Sequence, residues 1–155
     1  MQGSENVING LNALLAYELA AMDQYFIHSQ MYHDWGLTKL YDRIAHEFED
    51  EKGHATKLIE RMLFLGGTPD MRTRSEIVIG KDVEEMLKSD LRVEYDVGAK
   101  LKEVIAICEK ESDYVSRDML TVLLDDTESD HAHWLEQQIG LIERLGLKNY
   151  QQSQQ

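Results

Sequence analysis

The chain has 155 residues, enough to build a substantial core, and we expect one domain over residues 1–155. Its 29 acidic and 16 basic residues give a formal net charge of −13. This balance argues against nucleic-acid binding, because neutralising phosphates needs a basic face. The single cysteine, Cys108, excludes an internal disulfide and a cysteine-based zinc site.

No apolar run approaches the roughly 20 residues of a membrane span. The first residues, Met-Gln-Gly-Ser-Glu, contain neither the basic segment nor the apolar run of a signal peptide. We therefore expect a soluble, cytoplasmic protein without a membrane partner.

Two long helices are predicted in the first half from apolar residues spaced three and four apart. The first runs from about Glu5 to Trp35 and ends at Gly36. The second runs from about Lys39 to Leu65 and stops at Gly66-Gly67-Thr68-Pro69.

Two more long helices are predicted in the second half. The third begins at Asp82, an N-cap followed three residues later by Glu85. Ser112-Asp113 marks a break before the fourth, which ends at Gly146. The segment from Leu147 to Gln155 is predicted as a short fifth helix.

The connection between the second and third helices, about Gly66 to Lys81, is long for a helix–helix loop. Fully extended at ~3.3 Å per residue it reaches ~50 Å. A helix as long as the second spans only ~40 Å at 1.5 Å per residue. The connection is therefore long enough to cross the whole bundle, which leaves helices two and three parallel.

Two Glu-x-x-His pairs, Glu51–His54 and Glu128–His131, follow the lone glutamates Glu18 and Glu94 by 33 and 34 residues. The second set repeats the first at an offset of 76 to 77 residues. One glutamate from each of two helices, with Glu-x-x-His from each of two others, is the ligand set of a di-iron or di-manganese carboxylate centre. All six residues fall on apolar stripes near mid-helix, so we expect them to point inward at a similar depth.

Charge favours a metal at this position. Four carboxylates and two neutral imidazoles carry −4, which two divalent cations cancel. The alternative is a set of buried ion pairs, but the stripes contain no Lys or Arg placed to neutralise the glutamates. The donors suit iron or manganese better than calcium. Tyr25 and Trp134, close in sequence to Glu18 and His131, are either electron donors or core aromatics.

With these residues the chain resembles the bacterioferritins from Met1 to Gln152. Supporting stretches are Val-Ile-Asn-Gly-Leu-Asn at 7–12, Asp-Trp-Gly-Leu at 34–37, Tyr-Val-Ser-Arg-Asp at 114–118 and Gly-Leu-Lys-Asn-Tyr at 146–150. The resemblance implies an all-α, ferritin-like four-helix bundle with a long crossover between helices 2 and 3 and a short C-terminal fifth helix. It also implies a hollow shell of 24 subunits that stores an iron(III) mineral, supplied by a ferroxidase that oxidises Fe(II) with O2 or H2O2.

The family pattern assigns roles to particular residues. The ferroxidase ligands match Glu18, Glu51, His54, Glu94, Glu128 and His131. His46 and Asp50 match a pair that, in the family, binds iron on the inner surface and passes electrons to the centre; from spacing alone an ordinary surface pair is the alternative. Glu47 either helps iron reach the centre or is a polar neighbour of it.

The chain departs from the family at position 52. Bacterioferritins ligate haem between two subunits with a methionine at this position, whereas Lys52 has an ammonium group that cannot ligate iron as a thioether does. Ala45 and Glu49 also replace the usual pocket residues. The resemblance therefore implies a haem-free subunit, similar to those that co-assemble with a haem-bearing bacterioferritin subunit. Iron release by a ferredoxin-type reductant acting near haem is then in doubt for the homo-oligomer.

Alternative functions make different demands on the sequence. A structural shell subunit with a weakly active centre would have the same ligands. A rubrerythrin would need a cysteine-rich iron domain, which a single cysteine excludes. The small DNA-protecting relatives place their ligands across a subunit interface, unlike the set within this chain.

Overall fold

The computed structural model describes residues 1–155, and all of its regular secondary structure is helical. In chain order the helices are α1 (Glu5–Asp34), α2 (Thr38–Phe64), α3 (Val83–Lys110), α4 (Tyr114–Asp125), α5 (His133–Leu145) and α6 (Leu147–Ser153). A π-helical segment of seven residues, Asp126–Ala132, joins α4 to α5, and these three elements form the fourth long helix. The predicted all-α fold with a short C-terminal helix is confirmed. None of the helices combines the length and apolar character needed to cross a membrane.

The helix ends lie close to their predicted positions because glycines and capping aspartates determine them. Gly36, Gly66 and Gly146 have φ angles of 75°, 82° and 81°, in the left-handed region that favours glycine and ends a helix. Asp82 and Asp113 cap α3 and α4 by accepting hydrogen bonds from backbone N–H groups at 2.8 and 3.0 Å. The predicted N-cap and the predicted break before the fourth helix are thus both confirmed.

Helices α1 and α3 pack against each other and run antiparallel. Advancing along α1, the partners on α3 move toward its N-terminus: Asn6 bonds to Glu111, Gly10 lies against Val104, Tyr25 bonds to Glu94 and His28 bonds to Asp90. The Gly3 N–H donates to the Leu65 carbonyl at 2.8 Å, which places the start of α1 beside the end of α2 and makes these two helices antiparallel. Helices α2 and α3 are therefore parallel.

The crossover between α2 and α3 runs along α1. Four of its backbone N–H groups donate hydrogen bonds to residues of α1: Asp70 to Asn12 (2.8 Å), Ser75 to Ala16 (3.2 Å), Val78 to Gln24 (3.1 Å) and Gly80 to His28 (3.1 Å). From Asn12 to His28 helix α1 rises about 24 Å at 1.5 Å per residue. The predicted long crossover is confirmed.

A buried polar network fixes the end of this crossover. His28 accepts from the Gly80 N–H at Nε2, so its ring proton lies on Nδ1, which donates to Asp90 at 2.8 Å. Gln24 donates to the same Asp90 oxygen at 2.8 Å. Burial raises the pKa of Asp90, although the bonds from His28 and Gln24 oppose this. The network joins α1, α3 and the crossover.

The apolar core is divided into two clusters. One contains residues of α1 to α4, including Leu11, Leu14, Leu58, Met62 and Leu101. The other lies toward the opposite end and includes Tyr32, Leu40, Ile44, Leu87 and Leu135. Along α2, α3 and the fourth long helix the predicted metal ligands fall between the two clusters, and on α1 Glu18 lies at the edge of the first cluster, next to Leu19. The middle of the bundle is therefore a polar layer between two apolar ones.

Candidate metal centre

Five of the six predicted ligands converge in this polar layer. Glu18 comes from α1, Glu51 and His54 from α2, Glu94 from α3 and His131 from the π-helical segment. All five side chains are buried, with between 0% and 6% of each residue exposed. Four elements that are distant in sequence therefore bring three carboxylates and two imidazoles together.

The five residues form two groups that share Glu51. His54 Nδ1 lies 3.3 Å from Glu18 Oε2 and 3.4 Å from Glu51 Oε2. His131 Nδ1 lies 2.9 Å from Glu51 Oε1 and 3.4 Å from Glu94 Oε1. Within each group the ligand atoms lie within 4.8 Å of one another. Because Glu51 presents one oxygen to each group, it has the position of a carboxylate that bridges two metal ions.

The donor atoms of this layer lack hydrogen-bond partners. Among the buried atoms without one are both carboxylate oxygens of Glu18 and Glu51, Glu94 Oε2, and Nδ1 of His54 and His131. Leaving buried polar atoms unpaired is costly, and most such atoms in folded proteins are satisfied. These carboxylate oxygens and imidazole nitrogens lie close together without hydrogen-bond partners. Such a donor set fits two divalent cations of the iron or manganese type.

The protonation of the metal-free centre follows from its burial and its close charges. Burial and the neighbouring charge of Glu51 raise the pKa of Glu18 well above its usual value. Burial also raises the pKa of Glu94, opposed by the nearby His131 and by the hydrogen bond from Tyr25. Burial lowers the pKa of His54, but the nearby carboxylates of Glu18 and Glu51 outweigh this effect and raise the pKa to about 11. The centre therefore retains protons that a bound metal would displace.

Glu128, the sixth predicted ligand, does not point inward in this structure. Its side chain is 52% exposed and lies 3.5 Å from Lys102 Nζ. It lines a surface cavity of about 370 Å³ together with Lys102 and Glu94. The expectation that all six residues face the centre is wrong for Glu128 in this conformation, while its role as a ligand stays a prediction.

The π-helical segment explains this departure. Spacings of three and four place residues on one face only in an α-helix, and the wider π turn changes which residues face inward. The buried residues of this segment are Thr127, His131 and Ala132, whereas the sequence predicted that Glu128 and His131 face inward. Thr127 is 1% exposed and occupies the inward position expected for Glu128.

A second layer of carboxylates lies on the outer side of the two imidazoles. His54 Nε2 lies 2.7 Å from Asp126 Oδ2. His131 Nε2 lies 2.7 Å from Glu47 Oε2 and 3.1 Å from Asp50 Oδ2. Such carboxylates orient metal-ligating imidazoles. Glu47 and Asp50 each precede a predicted ligand by four residues, and this spacing could have indicated their position beside the centre. Nothing in the helical pattern predicted the position of Asp126.

Arg43 closes one side of this outer layer. It donates to Glu47 at 2.6 Å and to Asp130 at 3.0 Å, and its guanidinium carbon lies 4.6 Å from the centre of the Trp134 ring. Sequence reasoning missed both Arg43 and Asp130. Because Glu47 is almost fully buried, the cation of Arg43 compensates part of the negative charge beside His131.

The two aromatic candidates lie in different environments. Tyr25 Oη donates to Glu94 Oε1, so the phenol contacts a predicted ligand directly. Burial and the charge of Glu94 raise the pKa of Tyr25, which keeps it protonated. Trp134 is half-buried and lies against Arg43. Of the two, Tyr25 is the one that contacts a predicted ligand directly, while its role as an electron donor stays a prediction.

His46 and Asp50 lie together at the edge of the site. His46 Nε2 is 3.4 Å from Asp50 Oδ2, and His46 is well exposed. Asp50 Oδ2 is also the atom that contacts His131. The pair therefore connects the surface to one half of the centre, while its binding of iron stays a prediction.

Comparisons with known proteins agree with this architecture. Residues 8–145 match the ferritin family through its ferritin-like domain. A bacterial ferritin of Synechocystis sp. is 60% identical over 99% of both chains. A bacterial ferritin of Pseudomonas aeruginosa is 58% identical, again over 99% of both chains. A bacterioferritin of Brucella melitensis is 41% identical over 98% of this chain and 94% of its own.

Proposed function

We propose that this chain, which belongs to the ferritin family, is an iron-storage ferroxidase with a di-iron centre inside each subunit. The observation that carries the proposal is the pair of buried ligand groups sharing Glu51, whose donor atoms lack hydrogen-bond partners. Buried carboxylate oxygens and imidazole nitrogens without hydrogen-bond partners favour a site that binds two metal ions over a set of ion pairs with Lys or Arg.

In this proposal two Fe(II) ions are the substrate, and each gives one electron to the oxidant, O2 or H2O2. With O2 the two electrons and two protons yield hydrogen peroxide. The protein binds the ions through Glu18, Glu51 and Glu94, while His54 and His131 offer Nδ1 and hold their remaining proton on Nε2. Burial excludes water and strengthens these interactions.

Glu128 completes the proposed ligand set. Three buried glutamates supply −3 against the +4 of two divalent ions, and a fourth carboxylate makes the site neutral. The cavity that Glu128 shares with Glu94 gives its side chain room to turn toward the centre. We further propose that Tyr25 supplies the second electron to the oxidant when only one Fe(II) is bound, and that its phenol proton then passes to Glu94, which its hydroxyl contacts.

The assembly is also part of the proposal. Near-complete coverage of the bacterial ferritin relatives supports a hollow shell of 24 subunits that stores the oxidised iron. Lys52 is exposed on α2, with Glu49 exposed and Ala45 half-buried one turn and two turns before it. On this basis the homo-oligomer binds no haem. A strong Soret band at stoichiometric haem in the purified homo-oligomer would contradict this part.

A structural shell subunit is the second candidate, and one observation favours it. With Glu128 paired to Lys102, only three carboxylates face the centre, which leaves two divalent ions undercompensated. Such a subunit would co-assemble with a haem-bearing bacterioferritin subunit, receive electrons from a ferredoxin-type reductant there, and leave most oxidation to its partner.

The rate of iron oxidation distinguishes the two candidates. We expect the apoprotein to oxidise two Fe(II) per chain rapidly after mixing with oxygen, as followed by stopped-flow absorbance. Glu51→Gln should abolish the fast phase because it removes the bridging carboxylate. Glu49→Gln is the matched control, since it makes the same chemical change at an exposed position of the same helix. No fast phase in the unmodified protein would favour the structural subunit.

A further inference from the structure

The two ligand histidines differ in the number of acceptors on their outer side. His131 Nε2 has Glu47 at 2.7 Å and Asp50 at 3.1 Å, with Asp126 and Asp130 farther away at 3.7 and 3.9 Å. His54 Nε2 has one contact of this kind, with Asp126 Oδ2 at 2.7 Å. The orientation of His54 therefore depends on a single carboxylate.

Which nitrogen of His54 carries the ring proton matters for metal binding. A neutral imidazole carries one proton, and the nitrogen that binds a metal must be the unprotonated one. In His54 the nitrogen facing Glu18 and Glu51 is Nδ1, so its proton has to lie on Nε2. A proton on Nε2 needs an acceptor, and Asp126 Oδ2 is at hydrogen-bonding distance.

The backbone explains why Asp126 is available for this contact. It is the first residue of the π-helical segment that also carries His131. Asp126 reaches across to His54 on α2, while Glu47 and Asp50 on α2 reach across to His131. Each ligand histidine is thus held by carboxylates from the helix opposite its own.

We propose that Asp126 is the positioning residue of His54: it selects the Nε2–H tautomer and fixes the ring so that Nδ1 faces Glu18 and Glu51. This inference rests on the proposed di-metal centre. It makes the two metal positions unequal, because the half with His131 keeps its own acceptors when Asp126 is removed. Loss of Asp126 should weaken one metal position and spare the other.

Cobalt(II) binding tests this inference without measuring oxidation. The apoprotein and its variants would be titrated with cobalt(II) alone, recording the visible d–d absorption and the number of ions bound per chain. We expect two tight ions in the unmodified protein. In Asp126→Ala one ion should remain tight and the other should weaken by about 10–100-fold, as for other lost partners of ligand histidines.

Two further variants separate positioning from general stability. Asp126→Asn keeps an acceptor oxygen of the same shape and should recover most of the lost affinity. Asp125→Ala is the matched control, because Asp125 precedes it in the chain, is exposed and bonds only to Ser129. It should bind both ions like the unmodified protein, and all three variants should unfold near the same temperature without metal.

The possible results distinguish this inference from the function it rests on. Two tight ions in Asp126→Ala, or equal weakening of both, would overturn the role of Asp126 even if iron oxidation is fast. No tight cobalt(II) in the unmodified protein would overturn both the inference and the di-metal centre. Selective loss of one ion in a protein that oxidises iron slowly would support the inference and count against the ferroxidase.

Discussion

Tyr25 and Glu94 join helices α1 and α3 inside the candidate metal centre, because the Tyr25 hydroxyl donates a hydrogen bond to Glu94 Oε1. Both residues are buried, and Glu94 Oε2 has no hydrogen-bond partner. When no metal is bound, Tyr25 is therefore the neutral donor that keeps this buried carboxyl group partly satisfied.

Replacing Tyr25 with phenylalanine should destabilise the metal-free protein. Leaving a buried acceptor without its donor costs about 1–3 kcal/mol. We expect a lower unfolding temperature in the presence of a chelator, measured by scanning calorimetry. Tyr32→Phe is the control, because the Tyr32 hydroxyl lies buried on the same helix without any partner and its removal should be neutral or stabilising. Equal effects of both variants would show that the Tyr25 contact contributes nothing.

Gly10 should be intolerant of a side chain. A Cβ there would lie 2.9 Å from Val104 Cγ1, closer than real Cβ contacts, and the branched valine has little freedom to move. We expect Gly10→Ala to destabilise the protein by about 1–3 kcal/mol through overpacking. Gly140, within α5, has no atom within 4 Å of such a Cβ, so Gly140→Ala should stabilise by roughly 0.5–1 kcal/mol through helix propensity. Chemical denaturation would compare the two, and a stabilising Gly10→Ala would contradict this packing.

Asp113 should support α4 in a pH-dependent way. Burial acts to raise its pKa, but bonds from Ser116 and Arg61 outweigh it, so the folded pKa lies below the usual 3.8. Its contribution is therefore present above pH 3.8 and is lost as the pH falls through the lower, folded pKa. Asp113→Ala should cost about 1 kcal/mol near pH 6 through the lost cap.

The pH dependence provides the check on Asp113. The difference in unfolding temperature between Asp113→Ala and the unmodified protein should shrink when the pH is lowered from 6 to 3. Asp113→Asn keeps a capping oxygen that does not titrate and should lose less stability at pH 6. A difference that stays constant down to pH 3 would mean that the carboxylate charge has no part in capping α4.

Metal binding should draw Glu128 away from Lys102. We expect Glu128→Gln to weaken cobalt(II) binding by about tenfold, equivalent to roughly 1.4 kcal/mol. Lys102→Met should strengthen it slightly, because the ammonium group no longer competes for the carboxylate. Glu136→Gln, which changes an exposed glutamate lining the same cavity, is the control and should bind like the unmodified protein. Unchanged affinity in Glu128→Gln would remove Glu128 from the ligand set.

The sequence correctly predicted the bundle, the crossover and the inward position of five of the six ligands, because spacings of three and four, glycine stops and aspartate caps act locally. It did not predict the orientation of Glu128, since that spacing rule assumes an α-helical turn throughout. The sequence does contain one indication of an irregular turn in the fourth helix, because Glu18 and Glu94 are 76 residues apart, whereas His54 and His131 are 77 apart. One extra residue in the second half is what a π-helical segment accommodates.

The outer carboxylates were harder to predict for a different reason. Asp126 contacts a histidine 72 residues earlier in the chain, and the contact of Asp50 with His131 spans 81 residues. Periodicity within one helix cannot identify such partners, because they are determined by how two helices face each other. Arg43 was missed on the same ground, since its partner Asp130 lies on the opposite helix.

On the proposed function, the polar layer between the two apolar clusters makes the middle of the bundle the part whose stability depends on bound iron. All four long helices contribute to each cluster, so both ends keep their packing when the centre is empty. Amide exchange in the empty protein should then be unusually fast at mid-helix, where an ordinary bundle is slowest. On the proposed function, metal binding would stabilise the part of the bundle that is otherwise the least stable. Such a subunit would be most stable in a cell that contains iron to store.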